Sequence, residues 1–93
     1  MNNIRIPTPL RTYTGGEKEV QVSGDTVGEA MRELARQFPS VQTHLFDEGE
    51  QLRSYVNVFL NDEDVRNLEG EETPISDGDR LMIIPSIAGG STS

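Results

Sequence analysis

Apolar residues in this chain change their spacing in one central stretch, and that change constrains the fold more than any other feature. Five of them recur at steps of three or four residues, which is the period of one face of an α-helix. They are Val27, Ala30, Met31, Leu34 and Phe38. The runs on either side alternate apolar and polar residues or are continuously apolar, as β-strands do. The sequence therefore predicts one amphipathic helix with strands before and after it.

The residues before the helix predict a β-hairpin. The first strand is expected over residues 4–10, at an edge or bulged position, because Pro7 and Pro9 donate no ladder hydrogen bond. Thr14-Gly15-Gly16 supplies the turn, since glycine adopts positive φ without a Cβ clash. The valines that follow alternate with polar residues in the return strand.

Signals at both ends bound the helix. Thr26-Val27-Gly28-Glu29 has the spacing of a capping box, with Asp25 as the other candidate cap, and Pro39 ends the helix after Phe38. The apolar face is expected to cover a sheet. Three apolar residues further on predict a short turn tucked under that sheet: Val41, Leu45 and Phe46.

Two more strands are predicted in the second half of the chain. Residues 55–60 alternate between two faces, and Asn61-Asp62 breaks the run. The turn Asp77-Gly78-Asp79 precedes an apolar run from Leu81 to Pro85. A run this continuously apolar suits an interior strand, which pairs beside the first strand only by running parallel to it.

This order of elements predicts an α+β fold, the β-grasp, with one main helix packed across a mixed sheet. Residues 1–86 are expected to form the domain and residues 87–93 a flexible C-terminal tail.

Composition excludes several classes of function. The chain has no cysteine, hence no disulfide, thiolate zinc site or side-chain sulfur nucleophile. Sixteen acidic against eight basic residues give a net charge of −8, which opposes binding to nucleic acid. No stretch approaches the ~20 apolar residues that span a bilayer, so we expect a soluble cytoplasmic protein that binds no membrane.

Motifs for catalysis or metal binding are also missing from the sequence. His44 is the single histidine, which supports neither a triad nor a zinc site and predicts a packing role. Asp62, Glu63 and Asp64 do not fit a calcium loop, because Arg66 occupies the fifth position from Asp62. We expect no bound metal or cofactor.

Two sets of residues carry a family resemblance. Asp77-Gly78-Asp79, the strand with Pro85, and Ala88-Gly89-Gly90 resemble the C-terminal signature of the MoaD/ThiS family of ubiquitin-like sulfur carriers. A second set is similar, more narrowly, to the carrier of the thiocarboxylate route to cysteine. It comprises Ile6-Pro7-Thr8, Leu10-Arg11, Thr14-Gly15-Gly16, Val56-Asn57 and Asn61-Asp62-Glu63-Asp64-Val65-Arg66.

The resemblance implies a carrier protein and not an enzyme. An E1-like activating enzyme would use ATP to adenylate Gly90, and sulfur would then convert it to a thiocarboxylate. That enzyme would bind the tail residues Ile87, Ala88, Gly89 and Gly90. In the cysteine route, a cysteine synthase that uses pyridoxal phosphate would supply an aminoacrylate for the thiocarboxylate to attack. A JAMM-type metallopeptidase would then release cysteine.

The chain departs from the family pattern after Gly90. Ser91-Thr92-Ser93 follow it, so an amide stands where the reactive carboxylate belongs, and Gly90 cannot be adenylated in that form. The resemblance implies hydrolysis between Gly90 and Ser91 by the JAMM-type peptidase. A cloning remnant is the alternative origin of the three residues.

The alternation of the strands also predicts a docking face. Four apolar residues are expected to point away from the helix: Tyr55, Phe59, Met82 and Ile84. An apolar outer face invites a partner, here the activating enzyme, although loops that cover it or simple exposure are the alternatives.

Other functions remain open at this point. Within the family, the small subunit of molybdopterin synthase or another carrier would use the same tail. A ubiquitin-like modifier would join activated Gly90 to a lysine, and Lys18 is the one side-chain acceptor for chains of this protein. An interaction module of the same fold would not need its glycine pair.

Overall fold

The computed structural model describes residues 1–85. Its strands and α-helices are β1 (Asn2–Arg5), β2 (Glu19–Val22), α1 (Val27–Gln37), α2 (Pro39–Leu45), β3 (Val56–Leu60), β4 (Glu63–Asp64) and β5 (Arg80–Pro85). The strands form one mixed sheet in the order β2-β1-β5-β3-β4. The predicted α+β class and β-grasp topology are confirmed.

The last strand lies in the middle of the sheet. β5 runs parallel to β1, with Leu81 beside Ile4, and antiparallel to β3, with Ile83 beside Val58. All four side chains are buried. The prediction of an interior strand parallel to the first is therefore confirmed, and its cause is the apolar run that only an interior position buries.

The predicted strand over residues 4–10 is wrong beyond Arg5. The chain stays in register as far as Ile6, whose N–H donates to the Lys18 carbonyl at 2.8 Å, and residues 8–14 then form a 3-10 helix. Pro7 and Pro9 explain the change, because the fixed φ of proline and its missing N–H suit the first turn of a helix. Gly15 ends this helix at a φ of 65°, which confirms the predicted turn.

The capping box of α1 is present. Thr26 Oγ1 accepts from the Glu29 N–H at 3.2 Å, while Glu29 Oε1 accepts from the Asp25 N–H at 2.9 Å. The helix ends at Gln37, one residue before the predicted end, with Phe38 as its C-cap, and Pro39 opens a second helix. In the described part of the chain, no helix is long and apolar enough to cross a bilayer.

The predicted short turn after Pro39 is the two-turn helix α2. It buries Val41 and Leu45 and packs against α1 and the 3-10 helix of residues 8–14. Phe46 follows it and is also buried. The three residues are therefore buried, but in a longer element than the predicted turn, and the main contacts of that element are with helices and not with the sheet.

The core lies between α1 and one face of the sheet. Fully buried side chains come from both layers: Ile4, Val22, Met31, Leu34, Val58, Leu81 and Ile83. Each such side chain contributes about 1.5–3 kcal/mol by leaving water. The opposite face of the sheet is free of α1.

Side chains cover both edges of the sheet. On β2, Gln37 Nε2 donates to the Gln21 carbonyl at 3.0 Å. Among the described residues, β4 pairs only with the last two residues of β3. Arg66 occupies the carbonyls nearer the start of that strand, donating to Val56 at 3.1 Å and also to Ser54. Bonds of this kind protect an edge against pairing with other chains.

Candidate docking face and tail exit

The predicted reactive segment lies outside the described residues. This applies to Ile87, Ala88, Gly89, Gly90 and Ser91, and to the domain boundary between residues 86 and 87. The described chain ends in β5 at Pro85, which stands beside Val56 at the start of β3. The last described residue therefore lies in the middle of one end of the sheet, next to the segment that precedes β3.

The structure brings the predicted docking residues together. Phe59 and Met82 are direct partners on β3 and β5, and both are half-buried. Ile84 follows on the same side of β5 and is 42% exposed, while Tyr55, one residue before β3, is 38% exposed. Since alternate residues of these strands are buried against α1, the four form an apolar strip that runs toward the tail exit. Their role in docking stays a prediction.

A shallow cavity continues this strip at its other end. Its volume is about 200 Å³, and Phe59 and Met82 form its apolar wall. The polar part of its lining comprises Asn3, Arg5, Glu19, Asn61, Asp62 and Arg80. The outer face is thus half apolar and half charged.

Sequence reasoning missed the two arginines. Arg5 follows Ile4 and Arg80 precedes Leu81, so both occupy outward positions in the same alternation that identified the apolar strip. Extending that alternation to the ends of both strands would have found them. Arg5 lies 4.0 Å from Glu19 on β2, at the limit of an ion pair.

A hydrogen-bonded turn fixes the start of β5. Asn61, at a φ of 50°, accepts from the Arg80 N–H at 3.0 Å through Oδ1 and donates to Asp79 Oδ1 at 3.0 Å through Nδ2. Asp79 Oδ2 accepts from the Ser76 N–H at 2.8 Å. The pKa of the Asp79 carboxyl is lowered mainly by the hydrogen bond from the Ser76 N–H, and to a smaller extent by the bond from the Asn61 amide. These bonds tie β3 to β5, and thereby support the register that puts Met82 beside Phe59.

The segment that precedes β3 is held by two arginines. Arg66 donates to the carbonyls of Ser54 and Val56, as described above, and Arg53 Nε donates to the Thr43 carbonyl at 2.8 Å. Asp64 in turn caps the short helix that carries Arg66, accepting from the Arg66 N–H at 2.9 Å. The motif over residues 61–66 therefore supplies hydrogen bonds at the two ends of β3.

His44 and the acidic residues were the remaining candidates for a catalytic or metal site. His44 stacks on Tyr13, with ring centroids 4.0 Å apart. Within residues 1–85, no three histidine, aspartate or glutamate side chains converge as a metal site would require. What the described geometry offers is an apolar strip on the outer face of the sheet that ends near Pro85.

Comparison with known proteins gives matches over nearly the whole chain. The model of the ThiS family matches residues 4–90. The sulfur carrier protein CysO of Mycobacterium tuberculosis is 43% identical over 89 residues, covering 94% of this chain and 96% of that protein. Small archaeal modifier protein 3 of Haloferax volcanii is 35% identical over 78 residues, covering 81% of this chain and 84% of that protein.

A solved structure agrees with these matches. The crystal structure of the Amycolatopsis orientalis BexX/CysO complex contains a chain that is 43% identical, with a TM-score of 0.87. The match covers 97% of this chain and 100% of that one.

Proposed function

The chain belongs to the ThiS family, and on that basis we propose that it is a sulfur carrier for cysteine biosynthesis. The observation that carries the proposal is its 43% identity with CysO across almost the full length of both proteins. The family match also extends to Gly90 and leaves residues 91–93 outside it. Gly90 is accordingly the residue that we propose to carry sulfur.

The proposed chemistry needs a free carboxylate at Gly90. That carboxylate attacks the α-phosphate of ATP in an E1-like activating enzyme, and pyrophosphate leaves. A sulfur nucleophile supplied by the sulfur-transfer partner then attacks the acyl adenylate, AMP leaves, and a thiocarboxylate remains. Adenylation is needed because a carboxylate is a poor electrophile, whereas AMP is a good leaving group. The chain has no cysteine, so the thiocarboxylate supplies its only reactive sulfur nucleophile.

Partner enzymes complete the proposed route. A cysteine synthase that uses pyridoxal phosphate would supply the aminoacrylate to which the thiocarboxylate sulfur adds. The acyl group would then shift from sulfur to the amino nitrogen, and a JAMM-type metallopeptidase would hydrolyse that amide to give cysteine and the Gly90 carboxylate. The same type of peptidase exposes Gly90 by cutting before Ser91. ATP and pyridoxal phosphate belong to the partners, and the carrier works with them in the cytoplasm.

The apolar strip is the proposed docking site for the activating enzyme. It lies on the side of the sheet away from α1 and ends near Pro85, so an enzyme bound there has the tail within reach. Phe59→Asp is expected to weaken binding of that enzyme and leave the fold intact, because the ring is only half-buried. Leu68→Asp is the matched control, since Leu68 is 46% exposed and lies outside the strip. Equal affinity of the two variants would count against this docking site.

Adenylation tests the function itself. The full chain and a version ending at Gly90 are mixed with the cognate activating enzyme and ATP, and the adenylate is followed by intact mass. We expect adenylation only of the version ending at Gly90, and of the full chain once the peptidase is added. Adenylation of the uncleaved chain would contradict processing, and adenylation of neither would contradict the carrier function.

A second candidate function is protein modification. It is favoured by the 35% identity with small archaeal modifier protein 3. Activated Gly90 would then be attacked by a lysine amine of a target protein instead of by sulfur. Adducts of higher mass that require Gly90 would support this function, whereas sulfur transfer to a molybdopterin synthase large subunit would identify the chain as that enzyme's small subunit.

A further inference from the structure

We infer that Arg80, assisted by Arg5, selects the partner of the docking face by pairing with a carboxylate on the activating enzyme. The inference rests on the proposed function, because that enzyme is the partner. It adds a charged contact to the apolar strip and assigns it to particular residues.

Acidic residues avoid the centre of the sheet. The chain has sixteen of them, yet β1, β5 and β3, the three central strands, contain none. The only charged side chains on these strands are Arg5 and Arg80, and both point to the outer face. The three central strands of an acidic protein therefore present only arginines as charged groups on the face that we propose for docking, with Glu19 and Asp62 also lining the cavity.

Arg80 is the freer of the two. Among residues 1–85, no carboxylate oxygen lies within 4.0 Å of its guanidinium. Its side chain is exposed and lines the same cavity as Phe59 and Met82. An enzyme side chain that fills the cavity with apolar atoms would bring its neighbours within reach of this arginine. A carboxylate there gains a charge-assisted bond, whereas a cation is repelled.

Arg5 contributes through a competition with Glu19. The two are 4.0 Å apart, and their side chains are 60% and 55% exposed, so the pair is weak. A carboxylate from the partner would compete with Glu19 for Arg5 and would be repelled by Glu19 itself. Removing the charge of Glu19 should therefore tighten binding, which is the opposite effect to a change at Arg80.

Charge-reversed variants test the inference by calorimetry with the activating enzyme in the absence of ATP. We expect Arg80→Glu to weaken binding about tenfold or more near 0.1 M salt, with a smaller difference at about 0.5 M. Arg36→Glu is the control: it makes the same change in net charge on α1, where the Arg36 side chain is 79% exposed. It should alter the affinity less than about twofold.

Neutral variants give the second arm. Glu19→Gln should tighten binding about two- to threefold, and Glu48→Gln, an exposed change in the loop after α2, should have no effect. Arg80→Gln should lie between the wild type and Arg80→Glu. Arg80→Gln keeps the inference testable if Arg80→Glu fails to fold. The melting temperatures of both variants are compared with that of the wild type.

Several results would overturn the inference. Equal effects of Arg80→Glu and Arg36→Glu would show that net charge alone matters. If Arg80→Glu binds the enzyme with unchanged affinity, Arg80 makes no contact with it. The carrier function would still hold if Gly90 is adenylated. Self-association of the carrier that Arg80→Glu abolishes would assign the face to a second copy. If Arg80→Glu weakens binding but Gly90 is never adenylated, the Arg80 contact is supported and the carrier function is refuted.

Discussion

The turn before β5, which is hydrogen-bonded to Asn61 at the end of β3, offers a quantitative test of what holds the two strands in register. Asp79→Ala removes the acceptors of two hydrogen bonds, from the Ser76 N–H at 2.8 Å and from Asn61 Nδ2 at 3.0 Å. A bond to a charged group contributes ~1.5–3 kcal/mol when buried, but both donors here are exposed enough to turn to water. About 1 kcal/mol for each bond is the reasonable figure, or about 2 kcal/mol of unfolding free energy in total.

The assay is thermal and urea unfolding, where about 2 kcal/mol corresponds to a fall of roughly 8–16 °C in melting temperature for a domain of this size. Asn61→Gly is the partner variant, because glycine keeps the φ of 50° and removes the amide. In a double-mutant cycle, Asp79→Ala and Asn61→Gly should couple by about 1 kcal/mol, since each removes the same bond. Additivity within about 0.3 kcal/mol would refute the reasoning.

The same carboxylate predicts a dependence on pH. Its pKa is lowered below 3.8 in the folded protein, mainly by the Ser76 N–H and then by Asn61. A lowered pKa means that the stabilisation is present well above 3.8 and is lost as the pH falls through the folded value. The difference in melting temperature between the wild type and Asp79→Asn should therefore shrink from pH 7 toward about pH 3. A difference that grows toward acid would show that the sign is wrong.

Three further substitutions test a helix cap, the hydrogen bonds at a strand edge and the packing of the core. Thr26→Ala removes the cap on the Glu29 N–H and should cost ~1 kcal/mol in urea unfolding; no change would mean that water replaces the cap. Arg66→Ala removes Nη2, the one atom that donates to both carbonyls, so we expect a loss of ~1 kcal/mol and more light scattering from the exposed β3 edge. Unchanged scattering would contradict edge protection. Leu34→Ala empties a fully buried position and should cost ~2–5 kcal/mol, whereas a cost below ~1 kcal/mol would contradict the packing.

The elements that were predicted correctly depend on residues that are close in sequence. The start of α1 could be predicted because a capping box and an apolar period of 3.6 residues occur together there. The interior position of β5 was readable because Leu81 to Ile84 is too apolar for an edge. The apolar strip of the docking face followed from the same alternation.

Prolines explain the elements that were mispredicted. Pro7 and Pro9 fit an edge strand or the first turn of a helix equally well, and Pro39 fits a helix end or a helix start. Tertiary contacts decide between these, and Leu10 and Val41 are buried in the helices that their segments form. The role of Arg66 was unreadable for the same reason, because its partners at Ser54 and Val56 are ten or more residues away.

The central claim is that Gly90 carries sulfur, and intact mass measures this directly. The version of the chain that ends at Gly90 is incubated with the activating enzyme, ATP and a sulfide source, with the full chain as the control. Exchange of one oxygen for sulfur at the activated carboxylate predicts a gain of about 16 Da, confined by fragmentation to Gly90 and absent from the uncleaved chain. A version that is adenylated but never gains this mass, and that appears instead joined to lysines of other proteins, would contradict sulfur carriage.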